Sequence, residues 1–283
     1  MNFVSFLRRF LKKYFPWLYN NSSFLRNFIY KSLFTKTISI NVINEFQEFA
    51  PNVSGEEQMK IENTIYNIQN FSKSMSRIQN VNFTPKNIYD AFPNTQRKLG
   101  KIFDKYGSDK KTHGYDLIYE KIFEELKEVN LLVEIGIGSN NEQVLSNMSK
   151  YGKPGSSLRA FRDYLQETNI VGLEFDSNVL FEENKIKTHY FDQNEISSLD
   201  NLPKEYFDNV DVLIDDGLHS IVANINSIYF AKKMLKKGGY LVIEDINKYA
   251  ENLYQLILFV ASKTFEIDLY TNNSCFVAVL KKI

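Results

Sequence analysis

A single cysteine, Cys275, stands among the 283 residues, so no intramolecular disulfide can form and no Cys/His cluster has metal-site spacing. That scarcity fits a reducing cytoplasm. Six prolines and twelve glycines exclude a collagen-like chain, while 43% apolar residues exclude a wholly disordered one and allow a sizeable core. No uninterrupted apolar run approaches the roughly 18 residues that a transmembrane helix needs. The N-terminal stretch mixes basic residues into its apolar ones and has no small-residue cleavage site after them, so we expect neither a span nor a signal peptide. Neither an internal repeat nor a low-complexity tract is visible.

Acidic residues are missing altogether before Glu45. The net charge of zero therefore hides an asymmetry. Residues 1–100 hold 13 basic and 6 acidic side chains, a surplus of +7, and residues 101–283 hold 21 and 28, a surplus of −7. On a helical wheel, Phe3, Val4, Phe6, Leu7, Phe10, Leu11, Tyr14 and Phe15 share one half, opposite Arg8, Arg9, Lys12 and Lys13. Pro16 ends this helix over 3–15, and Trp17 and Tyr19 follow. A basic amphipathic helix with aromatic flanks suits an anionic membrane surface, which would place residues 3–19 peripherally at the inner face of the cytoplasmic membrane. The same pattern also describes a helix packed on the protein with its lysines in water. Over 56–79, Ile61, Ile65, Ile68, Met75 and Ile78 recur at spacings of three and four, as in a core helix or a homo-oligomer contact. Pro85 and Pro93 mark 80–99 as a linker or short helical connection, which separates an N-terminal helical region, 1–99, from a second domain, 100–283.

Beyond residue 115 the pattern changes. A helix over Leu117–Leu126 leads to the apolar strand Leu131–Val133. Strand and helix signals then alternate through Ile170–Phe175, Lys187–Phe191, Val210–Ile214 and Tyr240–Ile243. Short continuous apolar runs read as strands covered on both faces, and their alternation with helices predicts a doubly wound, mostly parallel α/β sheet. Phe265–Tyr270 and Cys275–Leu280 are separated only by Thr271–Ser274, so the sheet should end in an antiparallel hairpin.

The chemistry-bearing residues sit at the ends of these strands. Glu134-Ile135-Gly136-Ile137-Gly138 closes the first, with glycines that let a ligand approach the backbone, and Glu174 closes the second. Asp192-Gln193 ends the third, Asp215-Asp216-Gly217-Leu218-His219 the fourth and Glu244-Asp245 the fifth. Ligands of open parallel sheets bind at the carboxyl ends of strands, so these acids should converge. Like charges so close require a cation or raised pKa values, and hard oxygen donors favour Mg²⁺ or Mn²⁺ over zinc. His219 is the nearest group suited to take a proton at neutral pH. His113 reads as structural or lid-forming, His189 as packing, and Arg159 as an anion contact or a helix-surface salt bridge.

Glu134–Gly138 resembles the first motif of class I S-adenosylmethionine (SAM) methyltransferases. The third glycine of the dinucleotide fingerprint is replaced by Asn141. Tyr106-Gly107-Ser108-Asp109-Lys110 with His113 and Tyr119-Glu120, then Gly155-Ser156-Ser157-Leu158-Arg159, Asp192-Gln193, Asp215–His219 and Ile243-Glu244-Asp245 complete a series. Over residues 100–250 it is similar to the metal-dependent sugar O-methyltransferases of the macrocin and mycinamicin type and to capsule-modifying relatives. The resemblance implies a Rossmann-like class I methyltransferase, with Asp216, Glu244 and Asp245 as metal ligands and His219 as general base. It places Glu174 on the SAM ribose, Asp192 and Gln193 at the adenine edge, Gly136 and Gly138 against the methionine moiety, and Tyr106, Ser108 and Lys110 over the cofactor. Glu134, Ser157 and Asp215 complete the expected cofactor side. Leu218 departs from the family, where many relatives have Ser, and removes a hydroxyl from the site.

The implied reaction is methyl transfer to a sugar hydroxyl of a cell-surface polysaccharide, a capsule, or its precursor. The alternatives are a secondary-metabolite glycoside, a non-sugar capsule group, or a non-catalytic SAM-binding interaction module; a nicotinamide oxidoreductase fits least. The acidic second domain would repel phosphates, which argues against a nucleic-acid partner. If residues 3–19 hold the chain to a membrane, deleting residues 1–20 moves it from the membrane to the soluble fraction on cell fractionation, and an unchanged distribution refutes the anchor.

Overall fold

The computed structural model describes residues 83–283 except 94, 145, 149, 151, 249, 250 and 273. The helices expected over 3–15 and 56–79 lie outside the described residues. The chain order is β1 (Lys86–Asn87), α1 (Ile88–Ala91), α2 (Lys98–Tyr106), α3 (Tyr115–Leu126), β2 (Leu131–Ile135), α4 (Ser156–Leu165) and β3 (Asn169–Glu174). There follow β4 (Glu182–Glu183), β5 (Ile186–Tyr190), β6 (Val210–Asp215), α5 (Ile221–Met234), β7 (Leu235–Ile246), α6 (Glu251–Ala261), β8 (Phe265–Thr271) and β9 (Phe276–Lys282).

The strands make one sheet in the order β1-β8-β9-β7-β6-β2-β3-β5-β4. β5, β3, β2, β6 and β7 run parallel; β2, β3, β6 and Tyr240–Ile243 of β7 are buried runs covered on both faces, whereas β5, Ile186-Lys187-Thr188-His189-Tyr190, is partly exposed. The terminal hairpin is present, and β9 inserts antiparallel between β7 and β8. From β2 the chain first builds outward through β3 and β5, then returns to place β6 on β2's other side. That reversal opens a crevice at the carboxyl ends of β2 and β6. Together these features give the Rossmann-like arrangement expected from the sequence. The expectation left out β1 and β4, because two residues are too few to show a period. It also cut β7 short: Lys236 to Gly239 interrupt the apolar run, yet Leu235 pairs with Val210 across a register shift.

One face of the sheet supports the site. Leu132, Ile170, Ile186, Val212 and Val242 belong to a core with Phe103, Leu158, Phe161, Ile118 and Tyr119, in which Phe161 meets the rings of Phe103 and Tyr119 edge-on at 5.2 and 5.1 Å. Each large side chain so buried contributes about 1.5–3 kcal/mol. The stretch 80–99, read as a linker or short helical connection, holds β1 and α1, and Ile88 is buried in that core. Arg97 then clamps the start of α2 to Asp116 of α3 through Nε and Nη2 at 2.8 and 2.7 Å.

α2 is tied to α4 by Asp163, whose carboxylate accepts from Tyr106 Oη at 2.5 Å, Lys105 Nζ at 3.1 Å and Arg162 Nη2 at 3.0 Å. The Tyr106 hydroxyl, helped by both cations, holds the Asp163 carboxyl down at about 2. A depressed carboxyl stabilises the fold above its unfolded pKa of about 3.9 and loses that contribution as the pH falls toward about 2. Asp163→Asn should therefore cost about 1 kcal/mol at pH 7, allowing for solvent screening of the lysine, and progressively less below about pH 4. Urea midpoints at the two pH values read the difference, and equal midpoints at pH 7 contradict it.

Candidate active site

The turn between α2 and α3 inserts Lys110 beneath the strand ends. Its Nζ lies 2.7 Å from Asp216 Oδ2, 2.6 Å from Glu244 Oε2 and 3.2 Å from Glu134 Oε1, at 2% exposure. The three carboxylates come from the ends of β6, β7 and β2. Burial by itself would lower the Lys110 ammonium, but Asp216, Glu244 and Glu134 outweigh it and hold it well above its ordinary range. Burial pushes the Glu134 and Glu244 carboxyls up, against the pull of Lys110. One ammonium among three carboxylates keeps its proton at neutral pH.

Asp216, His219 and Asp245 each offer one ligand atom, and these atoms all lie within 4.8 Å of one another. His219 Nε2 is 3.8 Å from Asp216 Oδ1, the oxygen that Lys110 leaves free. Glu244 stands alongside this trio, one oxygen on Lys110 and the other accepting the Tyr119 hydroxyl. Asp245 accepts the Tyr115 hydroxyl at 2.5 Å and the Cys275 thiol at 3.3 Å. Burial opposes ionisation of Asp245, yet Tyr115, His219 and Cys275 hold its carboxyl below the usual range. The same burial pushes the Cys275 thiol up to about 11 and keeps it a neutral donor. His219 and Asp245 have φ of 46° and 51°, a left-handed conformation costing about 1–3 kcal/mol each where the side chain is not glycine. Ser220, whose hydroxyl caps α5 by accepting Ala223 N–H at 3.2 Å, fixes the residue after His219.

The glycine turn closes the other side. At Gly136, with φ of 87°, a Cβ would lie 2.2 Å from the Asp216 carbonyl oxygen. Only glycine lets the β2 and β6 ends approach so closely. Met148, from the excursion between β2 and α4, lies against Gly138. The Glu174 carboxylate accepts N–H groups of Ile137, Phe175 and Asp176 at 3.1, 2.8 and 3.1 Å. Asp176 in turn receives the Ser139 hydroxyl at 2.6 Å, so both acids brace the glycine turn.

Several expected residues lie behind this surface. Ser157 donates to Glu134 Oε2 at 2.6 Å, and Gln193 Nε2 donates to Asp215 Oδ1 at 2.6 Å, all four being buried. Gln193 Oε1 also receives Leu218 N–H at 2.9 Å, which fixes the turn before His219. Asp192 accepts Asn194 N–H at 2.9 Å. Tyr106 is engaged with Asp163, and Ser108 follows it in the turn out of α2, where its N–H donates to Phe103 O at 3.0 Å. His113 stacks on Tyr115, and Arg159 bonds Glu183 at 2.7 Å while lying over Phe181, so its salt-bridge reading describes it. Sequence reasoning did not select Tyr115, Ser139, Asp176, or the exposed pair Phe175 and Tyr190, whose rings lie 5.9 Å apart beside Glu174. The i,i+4 spacing of Tyr115 and Tyr119 was the one available signal, since it puts two hydroxyls on one helix face.

No protein-family model matches the chain. It is 32% identical over 144 residues to demethylmacrocin O-methyltransferase of Streptomyces fradiae, covering 50% of this chain and 33% of that protein. It is 27% identical over 144 residues to 8-demethyl-8-alpha-L-rhamnosyl tetracenomycin-C 2'-O-methyltransferase of Streptomyces olivaceus, covering 50% and 36%. The chain spans about a third of the length of the curated relatives it matches. Among solved structures it superposes on the MycE methyltransferase of the mycinamycin biosynthetic pathway, in complex with Mg, SAH and mycinamycin VI. The TM-score is 0.52 at 22% identity, over 65% of this chain and 53% of that one. The fold is thus that of the Rossmann-like methyltransferases. Within that class the chain is similar to the sugar O-methyltransferases of the macrocin and mycinamicin type.

The close approach at Gly136 sets a test. Gly136→Ala should destabilise the protein by about 1–3 kcal/mol, because a strained φ adds to the clash with the Asp216 carbonyl. A denaturant midpoint equal to that of the wild type would contradict the packing.

Proposed function

We propose that the chain is a SAM- and divalent-metal-dependent O-methyltransferase acting on a sugar hydroxyl. The observation that carries this reading is the convergence of Asp216, His219 and Asp245 beside the Gly136–Gly138 turn, at the carboxyl ends of adjacent parallel strands. The named activities of the relatives support it.

The donor set fits a hard divalent ion: carboxylate oxygens from two strand ends, with Glu244 alongside and a neighbouring imidazole. Asp216, Asp245 and Glu244 would hold Mg²⁺ or Mn²⁺, which, when bound, lowers the energy of an alkoxide forming on the acceptor. His219 would take the acceptor hydroxyl's proton at Nε2, the ring nitrogen that faces Asp216. Its φ and the Ser220 cap fix the backbone from which the imidazole projects toward Asp216. Gly136 and Gly138 would face the methionine portion of SAM through their backbone, with the Asp216 carbonyl packed on the first and the Met148 side chain on the second. Glu174, braced by three N–H groups, keeps lone pairs for the ribose hydroxyls. Phe175, 52% exposed at the next position, offers an apolar face to the adenine.

The glycoside substrates in the names of the relatives favour a glycoside as acceptor. A cell-surface polysaccharide or its lipid-linked precursor is the second reading, favoured by the first 44 residues, whose charged side chains are all basic. Purified chain assayed with each acceptor class and SAM separates the two.

His219→Ala should lose at least about 10²-fold in methyl transfer, as removal of a general base does, with SAM and Mn²⁺ binding retained. Full activity in the variant refutes the base, and lost Mn²⁺ binding reassigns His219 as a ligand. Turnover that persists in EDTA refutes the metal requirement.

A further inference from the structure

We propose that Lys110 is a positioning residue for the metal-binding carboxylates rather than a contact to the cofactor, an inference that rests on the metal reading above. The residue is enclosed, and its three ion-pair partners come from three strands. Such an arrangement is a built internal counter-charge, not a surface pair.

The geometry of Asp216 shows what it does. Lys110 takes Oδ2 at 2.7 Å, and the carboxylate is thereby turned so that Oδ1 faces His219 Nε2 at 3.8 Å. Glu244 is fixed at both oxygens, with Lys110 on Oε2 and Tyr119 on Oε1. Glu134 Oε1 lies 3.2 Å from the ammonium and has no hydrogen-bond partner, so its compensation is the charge of Lys110 alone. Glu134, Asp216 and Glu244 meet this ammonium and Asp245 lies near Asp216, so carboxylates outnumber the cation at the site, which suits a divalent ion beside it. Without Lys110, the Asp216 and Glu244 side chains would repel each other and Glu134, and would rotate away from these positions.

Two opposite signs follow. If Lys110 were only a nearby positive charge, its removal would tighten the binding of another cation. If it positions the ligands, removal weakens binding although a repulsive charge has gone. Calorimetric titration of Mn²⁺ into the full chain separates them, with thermal unfolding as the check on the fold. Lys110→Met should bind Mn²⁺ about 10- to 100-fold more weakly, the range expected when the group orienting a metal ligand is removed. Should that variant not fold, Lys110→Met with Glu134→Gln removes one charge of each sign from the buried set and carries the same expectation. Equal or tighter Mn²⁺ binding in the folded variant overturns the positioning role. A wild-type chain that binds no Mn²⁺ overturns the metal reading itself, a result distinct from a variant that binds as well as the wild type.

Discussion

One ammonium compensates three strand ends. A buried carboxylate is tolerated only where it is paired and hydrogen-bonded, since the desolvation of an isolated ion costs several kcal/mol. β2, β6 and β7 each place an acid within two residues of their carboxyl end, Glu134, Asp216 and Glu244, and Lys110 lies within 3.2 Å of all three. The turn that carries it is itself anchored, because Arg97 and Asp116 fasten α2 to α3 on either side of it. The helical lead-in to the sheet is therefore part of the site. Loss of its seating would leave Glu134 and Glu244 as uncompensated charges at 0% and 1% exposure.

Around that ion pair, α3 does two jobs at once. Its apolar face joins the core through Ile118 and Ile122, and its hydroxyls at positions 115 and 119 reach the consecutive acids 245 and 244. Consecutive residues of a strand point to opposite sides of the sheet. The positive φ at Asp245 breaks that rule locally and lets both carboxylates be served from the same helix. Backbone strain at His219 and Asp245 is thus paired with dense local support from Tyr115, Cys275, Ser220 and the Gln193 amide. On the cofactor side the backbone itself makes the opening, where the glycine turn is braced from beneath by Glu174 and by the Ser139–Asp176 bond.

Much of this was legible from the sequence. The central parallel strands β2, β3 and β6 announce themselves as apolar runs because burial on both faces leaves no room for alternation, and the Thr271–Ser274 break announces the hairpin. The convergence of Asp216, His219 and Asp245 also follows from the rule that such sheets bind ligands at strand ends. Individual roles were less legible. Asp215 and Gln193 stand in the right motifs, yet they are buried against each other and shape the His219 turn. Tyr106 is engaged by Asp163, a residue 57 positions away. A motif locates a residue along the chain but not the direction of its side chain, which depends on neighbours that arrive from elsewhere.

The sequence by itself determined the strand order's raw material: which runs are buried on both faces, which ends carry acids, and where glycine leaves the backbone bare. These are local properties, set by side-chain chemistry and a period of two or 3.6 residues. Tertiary structure alone decided which acid meets which cation. Lys110 and Glu244 are 134 residues apart, and nothing in either neighbourhood names the other. Their pairing comes from the crossover that sets β6 and β7 beside β2 and from the core that seats α3 on them. Coulomb attraction in a water-poor interior, acting over a few ångströms, then does what no spacing in the chain could specify.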